Sequence, residues 1–72
     1  MKREKFERSD HWVWRQREEQ LLGLLETPAT LSELHSRARS RYRWSRDRVR
    51  QTLAFAEGRT VRERGGVWQR SP

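Results

Sequence analysis

The sequence predicts a small, mainly α domain: a three-helix bundle closed by a C-terminal β-hairpin. Three observations predict it. Apolar residues recur at the helical period in three separate segments, Trp14 to Leu25, Leu31 to Ala38 and Val49 to Ala56. The string Thr30-Leu31-Ser32-Glu33 has the form of a capping box and opens the middle segment. Two short β-prone segments flank Gly65-Gly66 near the C-terminus, the pattern of a tight hairpin.

Residues 1–10 read as a charged, partly helical arm. Arg3 with Glu7 and Glu4 with Arg8 stand one turn apart, and Phe6 is its apolar anchor. Ser9 or Asp10 is expected to cap the first helix. Trp14, Glu18, Leu21, Leu22 and Leu25 then lie on one stripe, which predicts a helix from about Trp12 to Glu26. Pro28 ends it, because the residue before a proline avoids the α region. The capping box starts a second helix over about 31–39, with Leu31, Leu34 and Ala38 inward and His35 at the edge of that face. Arg39 to Trp44 alternates arginine with polar or aromatic residues and shows no helical period, so it reads as a connector. Ser45 caps a third helix over about 46–57, with Val49, Leu53 and Ala56 inward and Thr52 beside them. Gly58 stops it, and residues 60–70 form the hairpin. Ser71 and Pro72 are expected to be a disordered end. The domain proper is 11–70.

Composition bounds the chemistry. Of 72 residues, 32% are hydrophobic and 38% charged, and the mean hydropathy of −1.25 lies toward the disordered side. Four tryptophans and the leucines pull back toward a folded centre, since large aromatics bury much area per residue. The expected core is Trp14, Leu21, Leu22, Leu25, Leu31, Leu34, Val49, Leu53, Val61 and Trp68. The chain has no cysteine, so it can form neither a disulfide nor a thiolate metal site. His11 and His35 lie far apart and lack ligand spacing. Glu18 and Glu19 are adjacent on a helix and point to different sides. The reading is therefore no enzyme, no metal, no cofactor and no small-molecule substrate. No apolar run is long enough to span a bilayer, and the charged N-terminal stretch is no signal segment, so the expected location is cytoplasmic and nucleoid-associated.

The charge is segregated. Residues 1–36 carry a net −1 and residues 37–72 a net +8, which together give the formal +7. Seven arginines fall within fourteen residues, at Arg37, Arg39, Arg41, Arg43, Arg46, Arg48 and Arg50, with Asp47 the single acid among them. Apolar residues woven at regular spacing through this block distinguish it from a solvated basic tail. A folded, one-sided arginine surface is the electrostatic footprint expected for a polyanion, most often nucleic acid.

The order helix, short capped helix, helix and Gly-tipped hairpin resembles a winged helix-turn-helix domain over roughly residues 12–70. The likeness rests on the capping box, the length of the third helix and the Val61-to-Arg70 segment, VRERGGVWQR, which is similar to a wing. One departure stands out: a connector of about Ser40 to Ser45 exceeds the three-to-four-residue turn of the tightest helix-turn-helix units.

The resemblance implies double-stranded DNA as partner, with helix 46–57 in the major groove and the hairpin on the backbone or the minor groove. Arg46, Arg50 and Gln51, together with Ala54, point away from the inner stripe. Arginine can bridge guanine O6 and N7, and glutamine can pair with adenine, so Arg46, Arg50 and Gln51 are the expected base readers. Asp47 reads as a favourable charge at the positive helix start, with acceptance from cytosine as the other role. Arg37, Arg39, Arg41, Arg43, Ser45 and Arg48 are expected to contact the phosphate backbone. Trp44 either plugs the core beneath the turn or contacts a sugar or phosphate. Arg62, Arg64, Gly65, Gly66 and Arg70 are the expected wing contacts.

The expected function is sequence-specific DNA binding by a small transcriptional regulator or an accessory factor of a phage or mobile element. Two alternatives stay open. One is an RNA-binding or ribosome-associated protein, using Tyr42, Trp44 and Phe55 as stacking aromatics. The other is an adaptor whose basic face docks an acidic protein. A homodimer formed through Phe6, Trp12 and Val13 stands beside a monomer.

Overall fold

The computed structural model describes residues 8–72, with side chains from Trp12 onward; the arm's Phe6 and its two charge pairs lie outside the described residues. The chain is mainly helical, with α1 (Arg8–Leu24), α2 (Leu31–Tyr42) and α3 (Arg46–Ala56). Three short strands, β1 (Ala29–Thr30), β2 (Val61–Arg64) and β3 (Val67–Arg70), form one antiparallel sheet in the order β1-β3-β2. This arrangement is compatible with a winged-helix architecture. Among the described residues, no helix is long and apolar enough to cross a membrane.

Helix α1 takes in Ser9 and Asp10 instead of being capped by them, and it closes at Leu24, two residues short of the expected end. Its last turn contains no basic residue of its own. The terminal carbonyls, which lack partners within a helix, are satisfied from far along the chain. Arg37 Nη1 donates to the Leu24 carbonyl at 2.9 Å and to that of Thr27 at 3.1 Å. Arg70 donates to the Leu22 carbonyl through Nε at 3.0 Å and Nη2 at 2.6 Å. Both guanidinium groups also oppose the negative end of the helix dipole.

The capping box is complete. Glu33 N donates to Thr30 Oγ1 at 3.2 Å, and Thr30 N donates to Glu33 Oε1 at 2.9 Å. Helix α2 then runs three residues beyond the expected end, to Tyr42. The stretch read as a connector is largely helical, and the turn between α2 and α3 shrinks to Arg43, Trp44 and Ser45. That is the length of a tight helix-turn-helix turn, so the expected departure disappears. The physical reason is Trp44. Its side chain is 7% exposed and belongs to the core, which fixes it as the plug beneath the turn. Arg43 reverses the chain in the left-handed conformation (φ 61°), and its amide donates to the Arg39 carbonyl at 3.0 Å. Ser45 caps α3, accepting from Arg48 N at 3.1 Å.

Ala29, Leu34, Ala38, Trp44, Val49, Leu53, Ala56 and Val61 join Leu21, Leu24 and Leu25 in the core. Leu22, Leu31 and Trp68, expected inside, are half-buried against it. Trp14 and Phe55 make a satellite layer, with ring centroids 5.8 Å apart. Arg17 stacks over the Trp14 ring at 5.1 Å and Arg59 over Phe55 at 5.0 Å, adding cation–π attraction at both ends. Phe55 is only 8% exposed and therefore does not form a stacking platform.

Strand β1 was not expected from the sequence. Its two residues pair with β3, Ala29 with Trp68 and Thr30 with Val67. The β2–β3 hairpin turns through Gly65 and Gly66, between paired Arg64 and Val67, and both glycines have positive φ (58° and 84°). A two-residue turn of this hand needs positive φ at both positions, which explains the diglycine. Ser71 is tied down rather than loose: its amide donates to the Thr60 carbonyl at 2.8 Å.

Glu18, on the inner stripe of α1, is 4% exposed. Its Oε2 accepts from Thr60 Oγ1 at 2.6 Å and lies 3.5 Å from Arg59 Nε, so one carboxylate joins α1 to the segment that follows α3. Glu18→Ala should lower unfolding stability by about 1.5–3 kcal/mol, the range for hydrogen bonds to charged groups. Arg59→Ala should lower it by less than about 1 kcal/mol, because that guanidinium is half exposed and its ion pair is screened by water. Urea unfolding of both variants checks this; equal losses would mean that the ion pair, not the hydroxyl bond, holds the joint.

Candidate nucleic-acid interface

Helix α3 is built with two unlike faces. Val49, Thr52, Leu53, Phe55 and Ala56 are buried, with Thr52 Oγ1 donating back to the Arg48 carbonyl at 2.7 Å. Arg46, Asp47, Arg50, Gln51 and Ala54 are exposed. These positions fall one turn apart along the helix and make a continuous outward stripe. The three expected base readers, Arg46, Arg50 and Gln51, therefore share one face. Arg48 is half-buried at the flank. Asp47 sits in the first turn, where a carboxylate complements the positive helix end.

The helical state of residues 39–42 reorganises the other arginines. In the expected extended connector, Arg39, Arg41 and Arg43, two residues apart, would point to one side. On a helix they divide, since residues two apart lie on opposite sides and residues four apart on the same side. Arg37 and Arg41 border a recess with Gly23, Leu24, Glu26, Thr27 and Ser40, at the C-terminal end of α1. Arg37 is spent on α1 carbonyls, as described above. Arg39 and Arg43 line a different recess with His35, Trp44, Ser45 and Arg46, where α2 and the turn meet the start of α3. The four arginines expected to track a phosphate backbone together are therefore not one group: Arg39 and Arg43 join Arg46, and Arg37 and Arg41 do not.

In the hairpin, Arg62 and Arg64 lie two residues apart on β2, hence on one face of the sheet, and both are exposed. Gly65 and Gly66 form the tip next to them. Arg70 stands apart from this pair, because its guanidinium grips the Leu22 carbonyl and ties the hairpin to α1. Of the aromatic candidates, Trp44 and Phe55 are buried and Tyr42 is half-buried, its ring 5.4 Å from that of Trp44. The large hydrophobic that does stand exposed among the described residues is Trp12, at 63%, with half-buried Val13 beside it on α1.

Sequence reasoning missed His35 as a member of the basic recess. The signal was present, since His35, Arg39 and Arg43 repeat at helical spacing, but it becomes visible only once α2 is carried past Arg39. Glu18 was on the expected inner stripe, yet nothing local identified Thr60 and Arg59 as its partners.

The division of the arginines gives a measurable difference. If this surface binds duplex DNA, Arg39→Ala should lower the slope of log affinity against log salt by about one unit, as expected for loss of one phosphate contact. Arg37→Ala should leave the slope unchanged while lowering thermal stability, because it removes a cap on α1. Salt titrations and melting curves of the two variants check this. Compared with known proteins, the chain matches no family model, no curated protein and no solved structure.

Proposed function

We propose that this protein is a small sequence-specific binder of double-stranded DNA, acting as a regulator or accessory factor. Helix α3 enters the major groove, and the β2–β3 hairpin lies on the backbone or the minor groove. The observation that carries the reading is the outward stripe of α3. It presents Arg46, Arg50 and Gln51 on one face while the opposite face is held rigidly by the core. Arginine and glutamine carry the paired donors and acceptors that read guanine and adenine edges. The three-residue turn fixes the angle at which α3 is presented, and a major groove admits one α-helix. Arg39 and Arg43 beside the turn, and Arg62 and Arg64 on the hairpin, supply cations for the flanking phosphates. Burial of Phe55 and Trp44 removes two of the three aromatics on which RNA stacking would depend, so DNA is preferred over RNA.

Two outcomes test this. With about four arginine–phosphate contacts, affinity for duplex DNA should fall by roughly 10² between about 50 and 200 mM salt. Selection from a random duplex pool should return a defined site. The Arg46→Ala/Arg50→Ala variant should lose about 1–3 kcal/mol of discrimination per lost pair while retaining general binding. Tighter binding to structured RNA than to any duplex would instead support the RNA reading. Absence of binding to either nucleic acid at moderate salt would point to an acidic protein partner.

A further inference from the structure

The recess between α2 and α3 combines features that the base-reading stripe does not need. His35, Arg39 and Arg43 follow one another at helical spacing and converge there with Ser45 and Arg46 over the buried Trp44 ring. Among the described residues, no carboxylate lines it. The charged groups that share the recess with His35 are Arg39 on its own helix, Arg43 in the turn and Arg46 at the start of α3. Arg43 is also the one non-glycine among the described residues with positive φ, at 61°. Glycine is the usual residue at such a helix-ending position. The backbone gains nothing from an arginine there, whereas its guanidinium adds a third cation to the recess.

We propose that this recess takes one backbone phosphodiester of the bound nucleic acid and that His35 couples its occupancy to pH; this rests on the nucleic-acid reading above. An anion brought beside an imidazole favours its protonated form. Binding and protonation are therefore mutually reinforcing. The His35 contribution is present while the ring carries its proton and is lost as pH rises past the value at which it is released in the complex. Arg39 and Arg43 keep their charge from acid to alkaline pH, so the recess keeps part of its affinity and the histidine sets the variable part.

The test is fluorescence anisotropy of a labelled duplex at constant ionic strength, at about pH 6 and about pH 8, with the full chain and three variants. The parent is expected to bind about three- to tenfold tighter at the lower pH, the range of one charge-assisted phosphate contact at a partly exposed site. His35→Gln should flatten this dependence, while His11→Gln, at the chain's other histidine, should retain it. Arg43→Gly should bind about three- to tenfold more weakly at both pH values. It should nevertheless melt at or above the parent's temperature, because glycine relieves the left-handed backbone. That combination separates a ligand role for Arg43 from a structural one. The proposal is overturned by a His35→Gln variant that keeps the full pH dependence, by a parent that binds with none, or by an Arg43→Gly variant that binds like the parent. A parent that binds at neither pH would remove the nucleic-acid reading and this proposal together, whereas the other three results leave that reading standing.

Discussion

The burial of one indole in a three-residue turn governs the rest of the molecule. Trp44 lies between two charged or polar neighbours, Arg43 and Ser45, and is nevertheless carried into the core. To reach it, α2 must continue to Tyr42, the chain must reverse at once through a left-handed residue, and α3 must begin immediately afterwards under the Ser45 cap. The length of α2 decides which arginines share a face. The abruptness of the turn decides how the outward stripe of α3 is aimed. A longer, looser connector would leave the same charges on the chain without a fixed geometry between them.

Arginine does more than one job here, and the jobs can be told apart by partner. Arg37 and Arg70 act as internal braces whose guanidinium groups bond to backbone carbonyls at the end of α1. Arg17 and Arg59 stack on the Trp14–Phe55 pair. Arg39, Arg43, Arg46, Arg50, Arg62 and Arg64 are exposed. Small domains bury a limited apolar core, and here the planar cation supplements it. Lysine could replace few of these braces, since it offers no fork that presents two donors to one carbonyl.

Local signals were legible in the sequence and distant ones were not. The Thr30–Glu33 capping box, the Ser45 cap and the diglycine turn each need only a few consecutive residues, and each formed where it was expected. The inner stripe of α3 was equally plain, since it depends on period alone. Strand β1 escaped because two residues carry no period, and its pairing partner lies at the far end of the chain. The end of α2 escaped because alternating arginines imitate a non-helical pattern until the burial of Trp44 is known. The roles of Arg37 and Arg70 are set by carbonyls of α1, which no window around either residue reveals. For the candidate interface, the α3 readers could be named from the sequence, whereas the separation of Arg39 and Arg43 from Arg37 and Arg41 required the helix to be in place.

The sheet has two free edges, and each is made a poor template. β1 offers only two residues. β2 is four residues long, and three of them, Arg62, Glu63 and Arg64, are exposed and charged. A second chain adding a strand there would have to strip water from those charges, and short, charged edges are how folded proteins block such growth. A three-stranded sheet can therefore stand at the surface of this small domain without seeding fibres, even where high local concentration would bring many copies together.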